Sequence, residues 1–509
     1  MVATLLFDER MANGLDGPDG RPSVRPNLGR ISMRYIIAAS LIALSTAAFG
    51  APAKPSLTPA QRTATHDMFE HVINTPTVIG RHKVPEMAHY LADQFKAAGF
   101  PEVDIHVMTY HSESASTGAD ETAALIVRWR AAGTPKAKPI MLMGHMDVVE
   151  AKREDSTTDP FMMTERDGYY YGRGAIDMKD GIVGITQALI NLKAAGFKPK
   201  RDIVVLFTGD EETNGIGAKK GASEWLDLLG HPEYGLNADG GGGGVNPDGS
   251  PAGFTMQSAE KTYAGYTLTV RNRGGHSSKP RKDNAIYDLM HALERLEAYQ
   301  FKPQMGPTTR AYFQGREKQE KGPLGDAMRR WLANIDDREA ADFIEASESE
   351  VGLTRTRCVP TRLFAGHADN ALPQLATAMV NCRIFPGSDP NEIKAELERI
   401  VANPAVAVTR NDDQVASLSS PLRPDITGAY TKAVQTLHPG MPVFPEMSTG
   451  ATDGRPFRVA GIPIYGTNGG WVVVPVDFRA HGKDERLPVE SLYDNVVHWQ
   501  MMLRDLAGK

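Results

Sequence analysis

The chain has 509 residues, of which 41% are hydrophobic, with a formal charge of -6 and an isoelectric point near 6.2. This length exceeds what one hydrophobic core usually supports, so we expect two domains. The negative charge and the scattered basic residues argue against nucleic acid or an anionic membrane as partner and favour a peptide or other small substrate.

The beginning of the sequence resembles a secretory signal peptide. Met33 and Arg34 precede an apolar run over residues 35–49, and the small residues Ala48 and Gly50 stand before a candidate cleavage site. The run is shorter than the roughly 20 residues that a membrane span needs. We therefore predict a signal peptide at about Met33 to Gly50 and a periplasmic or secreted protein, with an uncleaved membrane anchor as the alternative. Residues 1–32 do not resemble the start of a secreted protein, so Met33 is a candidate initiator.

Apolar runs then alternate with helical patterns, which is typical of an α/β sheet. Residues 60–98 form an amphipathic stretch, and strands are predicted over 123–129, 139–143 and 203–207. The spacing of apolar residues predicts a helix over 181–195. Because continuous apolar runs are typical of buried parallel strands, a βαβ unit fits this region.

The pattern changes after the glycine run 240–244, which we interpret as a loop beside a site because it follows Asp239. Alternating apolar residues around Leu268 predict a half-exposed strand, and a long charged region over 284–349 predicts helices. A strand over 380–385, a helix over 390–401 and a strand over 405–409 follow. The α/β pattern resumes near Leu422, so the second domain is predicted to be inserted into the first.

Two cysteines are present, Cys358 and Cys382. Their spacing is unlike that of a zinc ribbon, which excludes a thiolate metal site. In an exported protein they could form a disulfide, or both could be free in a buried sheet, and the sequence leaves the two possibilities open.

Acidic and histidine residues stand where several apolar runs end. A pair of divalent cations requires anionic oxygens and a few imidazoles, with one carboxylate bridging, and Asp177 on a glycine-rich loop suits the bridging position. The alternatives are ordinary turns and a solvated acidic loop at residues 210–212. The candidate residues are His145, Asp147, Asp177, Glu211, Glu212, Asp239 and His481.

These residues fall in segments that resemble the di-zinc exopeptidase family of glutamate carboxypeptidase, aminoacylase and succinyl-diaminopimelate desuccinylase. The matching segments are Gly144-His145-Met146-Asp147, residues 172–179 (GRGAIDMK), Asp210-Glu211-Glu212, Asp239, residues 274–278 (GGHSS) and Ala480-His481-Gly482. The resemblance implies an α/β fold, with a di-zinc exopeptidase-like catalytic domain over 51–260 and 418–509. It also implies an inserted α+β lid and dimerisation domain over 261–417, after an N-terminal extension and signal peptide over 1–50.

The resemblance also implies the role of each candidate. Two Zn2+ ions per chain, or Co2+ or Mn2+ in their place, would be held by His145 and Asp239 on one side and by Glu212 and His481 on the other, with Asp177 bridging. Asp147 would orient His145, and Glu211 would be the general base that takes a proton from the attacking water.

In the lid, His276 resembles a histidine that polarises the scissile carbonyl, typically from the partner subunit of a homodimer. Asn370 and Arg383 resemble residues that bind the carbonyl or carboxylate of the substrate, and Arg455 lies in a segment that resembles a substrate loop. Two features depart from the family pattern: the glycine run at 240–244 and a region over about 302–352 that is longer than in a minimal lid.

We therefore expect a metal-dependent hydrolase that cleaves an amide bond next to a free carboxylate, acting as a carboxypeptidase on peptides or on N-acyl amino acids. The alternatives are an aminopeptidase or dipeptidase of the same clan, and a non-catalytic exported binding protein. The reverse reaction, which joins a fatty acid to an amino acid, is a further possibility, and the sequence gives no evidence for or against it.

Overall fold

The structure is a computed structural model that describes residues 54–114 and 118–508. The predicted signal peptide and residues 1–50 lie outside these ranges. Among the described residues, none of the helices combines the length and the apolar character that crossing a membrane requires.

The strands carry the labels β1 to β17 in chain order. Their bounds are Ile105–Ser114 (β1), Gly118–Trp129 (β2), Ile140–His145 (β3), Thr164–Arg166 (β4), Tyr169–Tyr171 (β5), Ile203–Thr208 (β6), Tyr234–Val245 (β7), Pro251–Glu260 (β8), Thr262–Arg271 (β9), Gly275–His276 (β10), Arg357–Ala365 (β11), Ala371–Leu372 (β12), Leu375–Ile384 (β13), Val406–Arg410 (β14), Val443–Ser448 (β15), Ile464–Val473 (β16) and Arg486–Pro488 (β17).

The α-helices are labelled in the same way. Their bounds are Pro59–Ile73 (α1), Val84–Ala97 (α2), Lys179–Ala194 (α3), Ile216–Gly221 (α4), Leu226–Leu229 (α5), Ala285–Ala298 (α6), Pro307–Arg316 (α7), Gly322–Ala333 (α8), Arg338–Glu345 (α9), Pro390–Val401 (α10), Pro424–Leu437 (α11), Gly454–Val459 (α12) and Val489–Ala507 (α13).

The amphipathic stretch predicted over 60–98 forms two helices, α1 and α2. The first begins at a capping box, in which the Thr58 side chain accepts from the backbone N–H of Gln61 and the Gln61 side chain accepts from that of Thr58. It ends at Asn74, and α2 starts with a proline in its first turn. The apolar face of each helix is buried in the main core.

An eight-stranded sheet in the order β1-β2-β6-β3-β7-β16-β8-β15 forms the centre of the molecule. Strands β6, β3, β7 and β16 run parallel to one another. Helix α3 connects β3 to the neighbouring β6, which confirms the predicted βαβ unit. It is buried along most of its length because α1, α13 and the sheet all contact it. The carboxyl ends of β3, β6 and β7 meet at one edge, where α/β sheets usually bind ligands.

The glycine run 240–244 is part of β7, so its interpretation as a loop is wrong. Strand β7 pairs there with β8 and β16. Glycine is required here because neighbouring segments of the same chain approach β7 closely. A Cβ at Gly241 would lie 2.7 Å from the carbonyl oxygen of Gly466, and a Cβ at Gly244 would lie 2.6 Å from Val474 Cγ1. A sequence of five glycines offers no local signal for such a pairing.

A second, antiparallel sheet has the order β11-β13-β9-β14. Leu268 and Val270 of β9 are buried against Leu289 of α6 and Leu397 of α10, while the alternate residues of β9 are more exposed. This pattern confirms the predicted half-exposed strand, and the charged region 284–349 forms α6 to α9 as predicted. The domain boundaries at 260 and 417 stay a prediction.

Cys358 of β11 and Cys382 of β13 form a disulfide. The two residues stand opposite each other in the antiparallel pairing of these strands. Of the two possibilities that the sequence left open, the structure has the bonded pair.

Candidate metal centre

The predicted metal ligands lie on separate segments that converge at the carboxyl edge of the large sheet. His145 is the last residue of β3, and Asp239 lies within β7. Asp177 precedes α3, Glu212 follows β6, and His481 lies in the segment before β17.

The structure brings all five of these side chains together. His145 Nε2 lies 3.3 Å from Asp177 Oδ1 and 3.8 Å from Asp239 Oδ1. On the other side, His481 Nε2 lies 2.9 Å from Glu212 Oε1 and 3.1 Å from Asp177 Oδ2. The two oxygens of Asp177 thus face the two histidines, which is the arrangement that a bridging carboxylate requires.

The donor atoms fit divalent cations. His145 Nε2 is buried and has no hydrogen-bond partner among the described residues, and an orphaned imidazole nitrogen beside carboxylates is suited to a metal. Ligand atoms of His145, Asp177 and Glu212 lie within 4.8 Å of one another, as do those of His145, Glu211 and Asp239. The set contains imidazole and carboxylate without thiolate, which suits Zn2+, Co2+ or Mn2+.

The crowding of these acids perturbs their titration in the metal-free protein. Burial, reinforced by the charge of Asp239, raises the pKa of Glu211 well above its ordinary value, and burial does the same for Asp239. Burial opposes ionisation of Asp177 too, but hydrogen bonds from His145 and His481 lower its pKa overall. Burial would lower the pKa of His145, yet the neighbouring carboxylates raise it well above 6.5. Protons thus take up the excess negative charge that bound cations would neutralise.

Asp147 contacts the candidate metal centre through both its main-chain carbonyl and its side-chain carboxylate. Its main-chain oxygen lies 3.0 Å from His145 Nδ1, whereas its carboxylate lies 3.6 Å from that nitrogen. A carbonyl only accepts, so Nδ1 carries the proton and Nε2 faces the cluster. The carboxylate instead accepts from the backbone N–H groups of Glu211 at 3.2 Å and Glu212 at 3.0 Å. Asp147 therefore fixes the two acids that follow β6, which the sequence did not indicate.

Asp210, the first acid of the same run, is held outside the cluster. Its carboxylate accepts from the Tyr110 hydroxyl at 2.7 Å and from the N–H groups of Ile216 at 2.6 Å and Gly217 at 3.0 Å. These bonds fix the turn after β6.

Asp453 is a buried acid whose proximity the sequence did not reveal. It accepts a hydrogen bond from Thr208, the last residue of β6. Burial raises its pKa to about 7, and its charge contributes to the raised pKa values of Glu211 and Asp239. Asp453 lies two residues before Arg455, in the segment that resembles a substrate loop. That position was the sequence feature that could have identified Asp453 as a candidate.

Glu485 ties the Asp177 loop to the His481 segment. Its Oε1 accepts from the N–H groups of Ile176 at 2.8 Å and Asp177 at 3.1 Å. Its Oε2 accepts from the N–H of Gly174 at 3.0 Å and from Arg173 Nη1 at 2.6 Å. Arg173 in turn donates to the Gly482 carbonyl at 2.9 Å. Sequence analysis missed Glu485, because a buried acid between two loops has no local pattern.

The predicted lid residues His276 and Asn370 lie on other segments of the chain than the five candidate ligands. His276 on β10 is exposed, and its Nδ1 contacts Ser278 at 2.8 Å. Asn370 lies beside it, since its carbonyl accepts from Ser277 N at 3.0 Å. Both are outside the residue groups that could hold a metal among the described residues.

The two candidate arginines differ in their surroundings. Arg383 on β13 lies over the Tyr263 ring at 5.1 Å and has no ion-pair partner among the described residues; burial lowers the pKa of its guanidinium. Arg455 on α12 donates to the Val415 carbonyl at 2.8 Å. Neither guanidinium has an ion-pair partner among the described residues, and the buried Nε of Arg455 has no hydrogen-bond partner there. Both arginines are therefore available for an anion.

Comparison with known proteins places this site in a family. The family model described as peptidase family M20/M25/M40 matches residues 141–505. The N-fatty-acyl-amino acid synthase/hydrolase PM20D1 of Xenopus tropicalis is 31% identical over 369 residues, which cover 70% of each chain. "Probable carboxypeptidase S-like 2" of Dictyostelium discoideum is 28% identical over 398 residues, covering 75% of this chain and 74% of that protein.

Solved structures share the fold. The M20 family metallo-carboxypeptidase Sso-CP2 of Sulfolobus solfataricus superposes with a TM-score of 0.62 at 16% identity, over 86% of this chain and 98% of that one. The predicted α/β fold and the resemblance to di-zinc exopeptidases are confirmed. The chain is a member of peptidase family M20/M25/M40, and it is a metal-dependent hydrolase of that family.

Proposed function

We propose that the protein hydrolyses an amide bond next to a free carboxylate, releasing the terminal amino acid from an N-acyl amino acid or a peptide. The observation that carries the proposal is the orphaned His145 Nε2 among Asp177, Asp239 and Glu211. A carboxyl with a raised pKa beside a cation-binding cluster is the arrangement that hydrolytic proton transfer requires. The names of the PM20D1 and carboxypeptidase-like relatives support the same reaction.

Different residues of the chain would bind the cations and transfer the proton during hydrolysis. The chemistry that bound cations supply at such a site is Lewis acidity and a lowered pKa of water. His145, Asp177, Asp239, Glu212 and His481 would hold them. Glu211 takes the proton of the attacking water and returns it to the leaving nitrogen. Burial beside other carboxylates raises the pKa of Glu211, and a carboxyl with a raised pKa is suited to accept a proton and release it again.

Arg383 supports recognition of the substrate carboxylate. It is half-buried without an ion-pair partner among the described residues. Burial lowers the pKa of nearby Lys261 to about 8, and the charges of Arg357 and Arg383 add to this shift. The backbone N–H of Lys261 donates to Ser448 at 3.0 Å, next to the segment that contains Gly450. Two partly desolvated cations favour an anionic ligand, and a guanidinium binds a carboxylate through two parallel hydrogen bonds.

Peptides blocked at one end test the direction of cleavage. We expect turnover of an N-acetylated dipeptide and of an N-acyl amino acid, loss of turnover when the C-terminus is amidated, and loss of all turnover after chelation. Restoration by added metal is the control for unfolding. Cleavage of the amidated peptide with a free amino terminus would instead identify an aminopeptidase, and metal-independent binding without turnover would identify a binding protein.

We infer that the native ions are two Zn2+ per chain. The ligand set of two histidines and three carboxylates supports this choice, and Co2+ or Mn2+ are the alternatives. Metal analysis of the protein purified without added ions should give near two zinc per chain. Reconstitution with each ion, followed by hydrolysis assays, distinguishes the alternatives.

We further propose that the protein is exported through the signal peptide at about Met33 to Gly50. The Cys358–Cys382 disulfide supports this, because disulfides persist in oxidising compartments. Cell fractionation and N-terminal sequencing test the proposal: a mature protein that begins near Ala51 outside the cytoplasm is expected, and an intact N-terminus at the membrane would indicate an anchor.

We propose a homodimer formed through the antiparallel sheet. Strand β11 is an edge of that sheet and most of its residues are exposed, including Leu363 at 58% and Phe364 at 54%. Tyr287 and Met290 on α6 are exposed beside it. Pairing of β11 and α6 with a second copy would cover the apolar side chains and satisfy the open edge. Light scattering should give a dimer, and Leu363→Lys should give a monomer; a wild-type monomer at micromolar concentration would refute this.

A further inference from the structure

The amino edge of the large sheet, opposite the candidate metal centre, carries a cluster of lysines. Strands β3, β6 and β7 begin at this edge. The segments that lead into β3 and β6 lie side by side, because Ala132 N–H donates to the Pro199 carbonyl at 2.7 Å and Lys136 N–H donates to the Lys200 carbonyl at 3.1 Å. Together they present four exposed lysines, which we call the basic face: Lys136, Lys138, Lys198 and Lys200.

The acidic residues next to the basic face are paired with arginines. Asp202, which leads into β6, is buried and its carboxylate lies 2.7 Å from Arg128 Nη2. Glu233, whose N–H donates to the Pro139 carbonyl at 2.9 Å, has its carboxylate 2.6 Å from Arg423 Nη1. The four lysines of the basic face have no ion-pair partner among residues 54–114 and 118–508. Their positive charge is therefore not neutralised within this part of the chain.

Helix α13 ends at the same edge and adds another cation. Lys200 N–H donates at 2.8 Å to the carbonyl of Ala507, the last residue of this helix. Arg504, in the last turn of α13, is exposed, and its guanidinium lies over the ring of Phe197 at 5.7 Å from the ring centre. Phe197 directly precedes Lys198, so Arg504 extends the positive charge of the basic face.

This local charge is opposite in sign to the formal charge of the whole chain, which is -6. The sequence argued against an anionic partner because its basic residues are scattered, but the fold brings two distant lysine-containing segments together. Strand β3 has 6 residues and therefore spans about 20 Å. Since salt screens charges over about 8 Å at physiological ionic strength, a partner at the basic face would be attracted by these lysines and would scarcely be affected by the acids of the metal centre.

We propose that the basic face binds the surface of a bilayer that contains anionic phospholipids. Lysine is a point charge on a flexible stem, and each lysine near an anionic headgroup layer increases membrane binding roughly fivefold. Nucleic acid is the less suitable partner, because residues 132–138 and 198–200 contain no aromatic side chain that could stack on bases, and the neighbouring Arg128 and Arg423 are already paired. Binding through this edge leaves the candidate metal centre on the side that faces away from the membrane.

Sedimentation with lipid vesicles tests the proposal. The purified protein should sediment with vesicles of phosphatidylcholine and phosphatidylglycerol at about 0.1 M salt, and it should stay in solution at about 1 M salt or with phosphatidylcholine alone. The double variant Lys136→Glu, Lys198→Glu should bind the anionic vesicles at least about 25-fold more weakly, since each lysine contributes roughly fivefold. The matched control is Lys318→Glu, Lys321→Glu, because these lysines lie between α7 and α8, are exposed and have no ion-pair partner among the described residues.

Vesicle binding is measured without substrate, so its outcome does not depend on the proposed hydrolysis. The variant of Lys136 and Lys198 should keep the wild-type stability, because both side chains are exposed. If it unfolds, Lys138→Glu, Lys200→Glu gives a second pair from which the same loss of binding is expected. The proposal is overturned if the protein does not bind anionic vesicles, binds phosphatidylcholine alone equally well, or binds as tightly after the lysine changes as the control does. Tighter binding to a DNA duplex than to anionic vesicles would also overturn it, in favour of nucleic acid.

Discussion

Glu485 offers the sharpest test of how the candidate metal centre is held in place. Its carboxylate accepts hydrogen bonds from three backbone N–H groups in residues 174–177 and one from the guanidinium of the buried Arg173. Glu485→Gln keeps the shape but presents an NH2 group to these donors and leaves the Arg173 guanidinium without a counter-charge. Breaking one partner of a buried ion pair costs about 3–5 kcal/mol of folding free energy. Loss of a group that orients a metal ligand typically costs about 10–100-fold in metal affinity.

The assay measures both quantities for each variant. Chelator competition gives the metal affinity, and denaturant unfolding of the metal-free protein gives the stability. Glu260→Gln is the matched control, because Glu260 forms a fully buried pair with Arg458 at 3.0 Å and contacts none of the five candidate ligands in the described residues. We expect both variants to lose stability and Glu485→Gln alone to lose metal affinity. Equal metal affinities for Glu485→Gln and the wild type would refute the positioning role and leave only a structural ion pair.

Three further predictions concern the base, a buried histidine and the disulfide. Glu211→Gln should lower kcat about 100- to 10,000-fold with the metal content unchanged; near-normal turnover of the loaded variant would exclude Glu211 as the base. Burial lowers the pKa of His498 to about 3. Between pH 6.5 and pH 3 the unfolded chain therefore binds a proton at this histidine that the folded chain does not bind. The free energy of unfolding should fall as the pH drops through this window, by up to about 1.4 kcal/mol per pH unit. His498→Gln should flatten this dependence, measured by unfolding at several pH values, and parallel profiles would contradict the assignment. The double variant Cys358→Ser, Cys382→Ser should lose about 3.5 kcal/mol, as expected for a sequence separation of 24, and reduction should destabilise only the wild type.

The parts of the fold that the sequence predicted are those with a strong local pattern. Continuous apolar runs marked β3 and β6, and the spacing of apolar residues marked α3, so the βαβ unit was predictable. The ligand positions were predictable because strands that end in His or Asp bring those residues to one edge of a parallel sheet. The resemblance to a known family then assigned roles that spacing alone did not.

The misses arise from contacts between distant segments. The glycine run became a strand because β16, more than 200 residues later in the chain, pairs with it, and no glycine signals its partner. Glu485 and Asp453 contribute to the site through hydrogen bonds to segments that are distant in the sequence, and no local pattern predicts such bonds. The bonding of Cys358 to Cys382 depends on the register of β11 against β13, which composition does not determine.

The place of β16 in the large sheet has a consequence for how the molecule is assembled during synthesis. Strands β7 and β8 follow each other in the chain, yet β16 lies between them in the strand order and completes their pairing. Until the ribosome has made residues 464–473, both strands keep open edges that can join a neighbouring nascent chain. A product that stops before this segment should therefore aggregate rather than persist as a smaller, inactive enzyme.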